Sequence, residues 1–399
     1  MKIAVLGGAG LMGSGTVRDL VSRESAGIDR VIVADIDLDK ARRLVDSLGD
    51  KRLEPARLDV RDRRSCLAVL KAVDICINGV PTFAGFQMDI FHCCLEAKCH
   101  YIDFGGMGIY TPQQKAEHDA WSRAGVTAIL GLGSDPGMSN VLCKAVAEQL
   151  EEIDKISLYW ASKLVGDENP VLVPPYSIST LLGEYANNSK QFINGELVDK
   201  PPLSGEVSLV LPPPFGQTEF VHSQHSEPLT VPFAKGIKDK GIREFTWRLH
   251  LPEKEHEVYK SLVKVGFGEF AVPIDFRGMS VAPAEFLEAL IARNIERNRH
   301  RIPHQDAYEI HLAIGEGRMN RKKTTVQCMV FVAPDPFYTD YNDAATSMNA
   351  SIGAQLLGRP KPVPGVWGPE EYYNVQEYFS ELKKRHFKIT LAVTTEEEL

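Results

Sequence analysis

Gly8-Ala9-Gly10-Leu11-Met12-Gly13 has the G-x-G-x-x-G spacing, directly after the apolar run 2–6 and before a helix-like stretch at 14–21. Such a turn suits a pyrophosphate. Gly8 permits the tight turn, Gly10 lets the backbone approach the phosphates, and Gly13 lets helix and strand pack closely. Leu11 and Met12 lie where a helix N-terminus offers unpaired N–H groups. Asp35 ends the next apolar run, where a carboxylate takes the ribose hydroxyls of a dinucleotide; Asp37 follows, and no arginine adjoins it. A carboxylate there repels a 2'-phosphate, so NAD is expected rather than NADP. In Asn78-Gly79-Val80-Pro81, the residues Asn78, Val80 and Pro81 are expected near the nicotinamide or its ribose. Asp59 is expected beside the adenine, with capping of the following helix as the alternative.

A second group of residues could act on a substrate. Gly131-Leu132-Gly133-Ser134-Asp135-Pro136-Gly137-Met138-Ser139-Asn140 precedes a helix at the point where the chain changes character. Free N–H groups near Gly137 could hold a carboxylate and Asp135 could act on an amine or a water; an interdomain hinge is the competing reading. Asp103, in Tyr101-Ile102-Asp103-Phe104-Gly105-Gly106, could face the reacting carbon or brace a turn. His222 and His225 put two imidazoles three residues apart, and Arg243 and Arg248 could clamp a carboxylate bidentately. For each of these a surface role competes. The expected bases are Asp135, Asp103 and His225, in that order, with Arg243, Gly137 and Tyr176 on the substrate.

These residues need a scaffold. Strands at 2–6, 30–34, 74–78, 100–103 and 126–130 alternate with helices at 14–21, 38–48, 64–73 and 88–97, which predicts a doubly wound parallel sheet of the Rossmann type. After a helix at 139–150 the pattern becomes alternating polar and apolar, as at 156–163 and 245–251. This predicts an α+β second domain with a mixed or antiparallel sheet. Stretches 308–314 and 324–332 flank Gly315-Glu316-Gly317 and read as a long hairpin. The amphipathic stretch after Pro283 is expected to cover the sheet, and the proline-rich 201–214 reads as a loop or lid. The chain turns helical again at 346–356 and at 369–385.

With 399 residues, 44% hydrophobic and 25% charged, the chain is long enough for two domains. Its net charge of -8 comes without a basic run that could track a phosphate backbone, so nucleic acid is not an expected partner. The one basic cluster, 318–323, reads as a turn between strands. No apolar run reaches membrane-spanning length and no signal or transit pattern opens the sequence, which predicts a cytoplasmic location. Seven cysteines without CxxC spacing read as reduced thiols. His92, Cys93, Cys94, Cys99 and His100 would be scattered around a helix, so no metal site is expected. Open sheets invite pairing, so a homodimer through the second-domain sheet is expected.

Taken together, Gly-Gly-Ala-Gly-Leu-Met-Gly at the start, Gly-Leu-Gly-Ser-Asp-Pro-Gly-Met-Ser-Asn at the domain change and the residues around 225–228 resemble the saccharopine dehydrogenase family, and within it the lysine 6-dehydrogenases. The resemblance implies a split Rossmann domain of residues 1–135 and 346–399 around a substrate and dimerisation domain of 136–345. It implies NAD-dependent oxidation at a carbon–nitrogen bond: hydride leaves the terminal carbon of L-lysine, and water releases semialdehyde and ammonia. A reductase forming saccharopine or a carboxylated polyamine is the alternative. A non-catalytic NAD-binding sensor is another.

Overall fold

The computed structural model describes residues 1–105, 107–269, 272–359 and 361–396; Gly106 and the last residues of the 346–399 segment lie outside these. Its first sheet is made of β1 (Lys2–Leu6), β2 (Arg30–Asp35), β3 (Leu53–Arg57), β4 (Ile75–Asn78), β5 (His100–Asp103) and β6 (Thr127–Ile129). The second domain contributes β7 (Glu152–Gly166), β8 (Ser189–Ile193), β9 (Glu196–Lys200), β10 (Val207–Leu211), β11 (Gly216–His222) and β12 (Glu244–His250). The hairpin β13 (Ile274–Phe276) and β14 (Met279–Val281) stands apart, and β15 (Gln305–Met319), β16 (Lys322–Val332), β17 (Gly365–Trp367) and β18 (Lys388–Glu396) complete the strands.

Residues of β1, β2 and β4 are mostly apolar and buried, and β5, though it carries His100 and Asp103 at its ends, is buried too, as strands covered on both faces must be. They form a seven-stranded parallel sheet in the order β17-β6-β5-β4-β1-β2-β3. The order reverses between β1 and β4, which opens a crevice beyond the carboxyl ends of the strands. The second sheet has nine strands along the path β10-β11-β12-β7-β15-β16-β18, with β8 and β9 beside β12. It is mixed: β12 runs parallel to β7, and the other pairings are antiparallel. The α/β class and the mixed second sheet are as expected.

Four expectations change. Gly315 and Gly317 do not turn the chain but continue β15 opposite Val326 and Thr324; the hairpin reverses at Asn320 and Arg321, both at positive φ. Those glycines serve close approach, since a Cβ would lie 2.2 Å from Val146 Cγ1 at Gly315 and 2.0 Å from Glu152 O at Gly317. The buried helix Met138–Ala147, rather than the largely exposed Pro283–Asn298, covers β7, β15 and β16. The proline-rich stretch contains strand β10 and does not line the cleft. The C-terminal segment is shared: the buried helix Ala344–Leu357 packs on Leu11–Leu20 and β17 extends the first sheet, but β18 joins the second. Arg385, fully buried, fixes this return through a bidentate ion pair with Asp19.

Candidate functional site

A single cleft of about 1540 Å³ runs from the β1–Leu11 turn to the second sheet. At the dinucleotide end the left-handed residue is Gly7, at φ 66°, so the tight turn falls one residue before the expected Gly8. Gly8 packs against Val33, and its N–H donates to Ala34 O. A Cβ on Gly13 would come 2.3 Å from Gly7 O, so the third glycine allows close packing as expected. The helix Leu11–Leu20 begins at Gly10 with no side chain capping its N–H groups, and Gly10, Leu11 and Met12 line the cleft. Free N–H groups in a groove that admits no Cβ fit a pyrophosphate.

Asp35 lines the cleft with its carboxylate held by the N–H groups of Ala9 and Asp37, at 3.0 and 3.1 Å. Asp59 is there too. It accepts from the Arg61 guanidinium, the foremost reason its carboxyl falls to about 2, and Arg61 also lines the cleft. Asn78, Val80 and Pro81 line the middle of the cleft, where Asn78 accepts from Val80 N–H and donates to the Tyr101 hydroxyl. The expected dinucleotide residues are thus assembled along one wall, apart from Gly8 and Gly13, which shape it from behind.

The substrate candidates divide. Asp135 lines the cleft, its Oδ2 bound to His311 Nδ1 while its buried Oδ1 has no partner. Glu309 Oε2 lies 3.4 Å from the other His311 nitrogen. Burial opposes charge on His311, yet Asp135 and Glu309 outweigh it and raise the imidazole to about 10. His225 stacks on Trp247 with ring centroids 3.9 Å apart, and its Nδ1 meets Glu227 Oε2 at 2.6 Å. Against burial, Glu227 and Glu184 raise it to about 9, so near neutrality it is a cation and not the expected base. Tyr176 lines the cleft and donates to Glu184, whose carboxyl burial pushes up to about 7.

The other candidates are placed differently. Asp103 borders the cleft, but its carboxylate accepts from Gly105 N, Gly131 N, Tyr101 Oη, Gln87 Nε2 and Gln114 Nε2. A carboxylate so occupied braces the ends of β5 and β6, and burial, opposed by these hydrogen bonds, holds its carboxyl above the ordinary range. Arg243 is exposed at the start of β12 and does not line the cleft, so the expected clamp is absent there. Arg248 is spent on Gly205 O and Thr246 Oγ1, and His222 is buried behind it, where burial takes its imidazole down to about 4. Gly137, at φ 130°, sits against Gly133 away from the cleft lining, and its N–H donates to Asn140 Oδ1. All seven cysteines are buried and unpaired, and no cluster among the described residues is placed to hold a metal ion.

Glu184, Glu309, His311 and Asp343 were not singled out by sequence. Glu309 and His311 stand two apart on the face of β15 that also carries Ala313. Ionisable residues on a core-facing register were the available signal. Asp343 caps the helix Ala344–Leu357, and burial raises its carboxyl to about 6. On the substrate side the cleft is therefore rich in carboxylates, with Asp135, Glu184, Glu309 and Asp343 lining it together with His225, while the buried His311 stands behind Asp135 and Glu309, and its one lining arginine among the described residues is Arg61, at the dinucleotide end.

Comparison with known proteins agrees with the dinucleotide end. Residues 3–129 match the family described as "Saccharopine dehydrogenase NADP binding domain". Two curated relatives are carboxynorspermidine synthases, from Vibrio alginolyticus at 27% identity and from Vibrio cholerae at 26%, each over 210 residues, 46% of this chain and 50% of the relative. The chain thus spans about half the length of the curated relatives it matches. Apo saccharopine dehydrogenase (L-Glu forming) from Saccharomyces cerevisiae has a similar fold, with a TM-score of 0.68 at 14% identity over 98% of this chain and 99% of the yeast protein. Residues 3–129 therefore form an NAD(P)-binding domain of the saccharopine dehydrogenase type, within a chain that shares the fold of the yeast enzyme.

Proposed function

We propose that the chain is an NAD(P)-dependent oxidoreductase acting at the carbon–nitrogen bond of a cationic amine, using NAD by preference, with the terminal amine of L-lysine as its leading substrate. The observation that carries this reading is the buried, unpartnered Oδ1 of Asp135, a residue lining the same cleft as the uncapped start of helix Leu11–Leu20. When bound, the nicotinamide supplies the hydride acceptor or donor. Asp135 Oδ1 receives an N–H of the substrate ammonium, and His311 with Glu309 holds that carboxylate in place. Glu184, raised to about 7, takes the proton that must leave the nitrogen before hydride can depart from the adjacent carbon. Tyr176 orients Glu184, and His225, held cationic, stays fixed against Trp247.

NAD preference rests on the Asp35 carboxylate facing the ribose end of the cleft, where a 2'-phosphate would be repelled. A second reading, reductive formation of a secondary amine such as a carboxylated polyamine, is favoured by the two Vibrio relatives and by Glu168, Glu253 and Glu255 along the outer cleft, which suit a longer polycation. Initial rates decide between them, measured with NAD and NADP on L-lysine, ornithine, saccharopine and diamines, and in reverse on an aldehyde with each amine. Oxidation of lysine with ammonia release supports the first reading; turnover only in the reductive direction moves the chain to the second. Dinucleotide binding without turnover in either direction would leave the sensor.

A further inference from the structure

In this conformation the proposed reacting groups are shut away from solution. Water does not reach Asp135 Oδ1, and Glu184 is only 2% exposed. An ammonium reaches them only if part of the surrounding wall moves.

The wall contains a segment suited to that motion. Every residue from 168 to 177 lines the cleft, between the end of β7 and the helix Ile178–Ala186. Among the described residues no backbone–backbone hydrogen bond involves 167–176, so lifting this segment breaks none. Side chains hold it down instead. On its outer side Glu168 pairs with Lys254 at 2.7 Å, both of them 73% exposed, and Gln305 Nε2 donates to Asp167 O at 2.9 Å. An ion pair so exposed is weak. On its inner side Val171 is buried, Tyr176 meets Trp160 edge to face with ring centroids 6.0 Å apart, and Tyr176 Oη donates to Glu184. Pro170, Pro174 and Pro175 stiffen the segment by fixing φ, which leaves bending to its ends. One end is Gly166, at φ 148°, a backbone conformation that suits glycine.

We propose that residues 167–177 are a lid, which swings out at Gly166 and Ser177 to admit the amine and closes to return the Tyr176 hydroxyl to Glu184. Closure shields Glu184 from water and restores its hydrogen-bond partner, so proton transfer waits on it. That the guest is an amine rests on the proposed function; the motion of the segment does not.

A removable bridge across the Glu168–Lys254 pair tests the lid on the full chain. In the double variant Glu168→Cys with Lys254→Cys, a short bis-methanethiosulfonate joins the segment to the helix Glu253–Lys264, and the native thiols are all buried. Lys254→Cys alone, which cannot bridge, controls for the reagent. Bridging should lower kcat/KM for L-lysine by about tenfold or more, leave NAD affinity by calorimetry unchanged, and be reversed by dithiothreitol. Chymotrypsin, which needs the segment to open, should cut the unbridged variant after Leu172 or Tyr176 and the bridged one about tenfold more slowly or less. This second arm needs no turnover: protection by the bridge in a chain that turns over no amine would sink the proposed activity and uphold the lid. A bridged protein as active as the unbridged one, or cleavage at the same rate before and after bridging, would overturn the lid.

Discussion

The Asp135 carboxylate is divided: Oδ2 is fixed by His311, and Oδ1 is buried without a partner in a residue that lines the cleft. Asp135→Asn would keep the shape and lose the charge, so kcat should fall by roughly 100-fold or more while NAD affinity measured by calorimetry stays unchanged. Titration gives a second handle. His225 and His311 have imidazoles raised to about 9 and about 10, above the 6.5 of an unperturbed histidine. A base stabilised in its charged form in the fold contributes stability that is full below pH 6.5 and lost as pH rises through those values. The thermal midpoint should therefore decline from pH 6.5 to about 10, and Glu227→Gln should flatten the part due to His225. The glycine motif was legible because its spacing is dictated by backbone geometry. Glu309 and Glu184 were not, because what makes them part of the site is which face of a strand or helix meets the cleft, and that depends on packing between distant segments. Arg243 shows the converse: its residue type suited a clamp, and its position at an exposed strand start removes it.

Elements that bear the site are held by close contacts that sequence reports only indirectly. Gly13→Ala would drive a methyl group into Gly7 O, an atom of the turn itself, and should weaken dinucleotide binding at least tenfold and destabilise the fold by about 1–3 kcal/mol. The helix Leu11–Leu20 is in turn pinned from the other end of the chain by Arg385 on Asp19. Arg385→Ala strands a buried carboxylate, and denaturant unfolding should show a loss of about 3–5 kcal/mol. The alternating strands and helices of the first domain were legible from periodicity, since each strand is a short apolar run bounded by turns. Gly315 and Gly317 misled because glycine marks both turns and tight helix–sheet contacts, and only the position of Val146 and Glu152 distinguishes the two. β18 escaped notice because it has no partner nearby in sequence: the strand it pairs with, β16, lies more than fifty residues earlier.

At the scale of the whole molecule, the cleft joins two surfaces of different chemistry. One is the uncapped helix start and Asp35, built by the parallel sheet; the other is the carboxylate and imidazole group on the second sheet and the loop at Asp135. The chain crosses between them more than once, as the Ala344–Leu357 helix packs on Leu11–Leu20 while Asp343 at its start faces the cleft. In the proposed reaction such a junction would hold the reacting carbon between a dinucleotide and a proton acceptor. The direct measurement is isotope transfer, with the purified chain incubated with NAD and L-lysine deuterated at its terminal carbon, and the dinucleotide recovered for mass spectrometry. Deuterium should appear in the reduced nicotinamide of the wild type and be strongly diminished with Asp135→Asn. Reduced dinucleotide free of deuterium, or none formed with lysine or with deuterated diamines and polyamines while NAD stays tightly bound, would contradict the account.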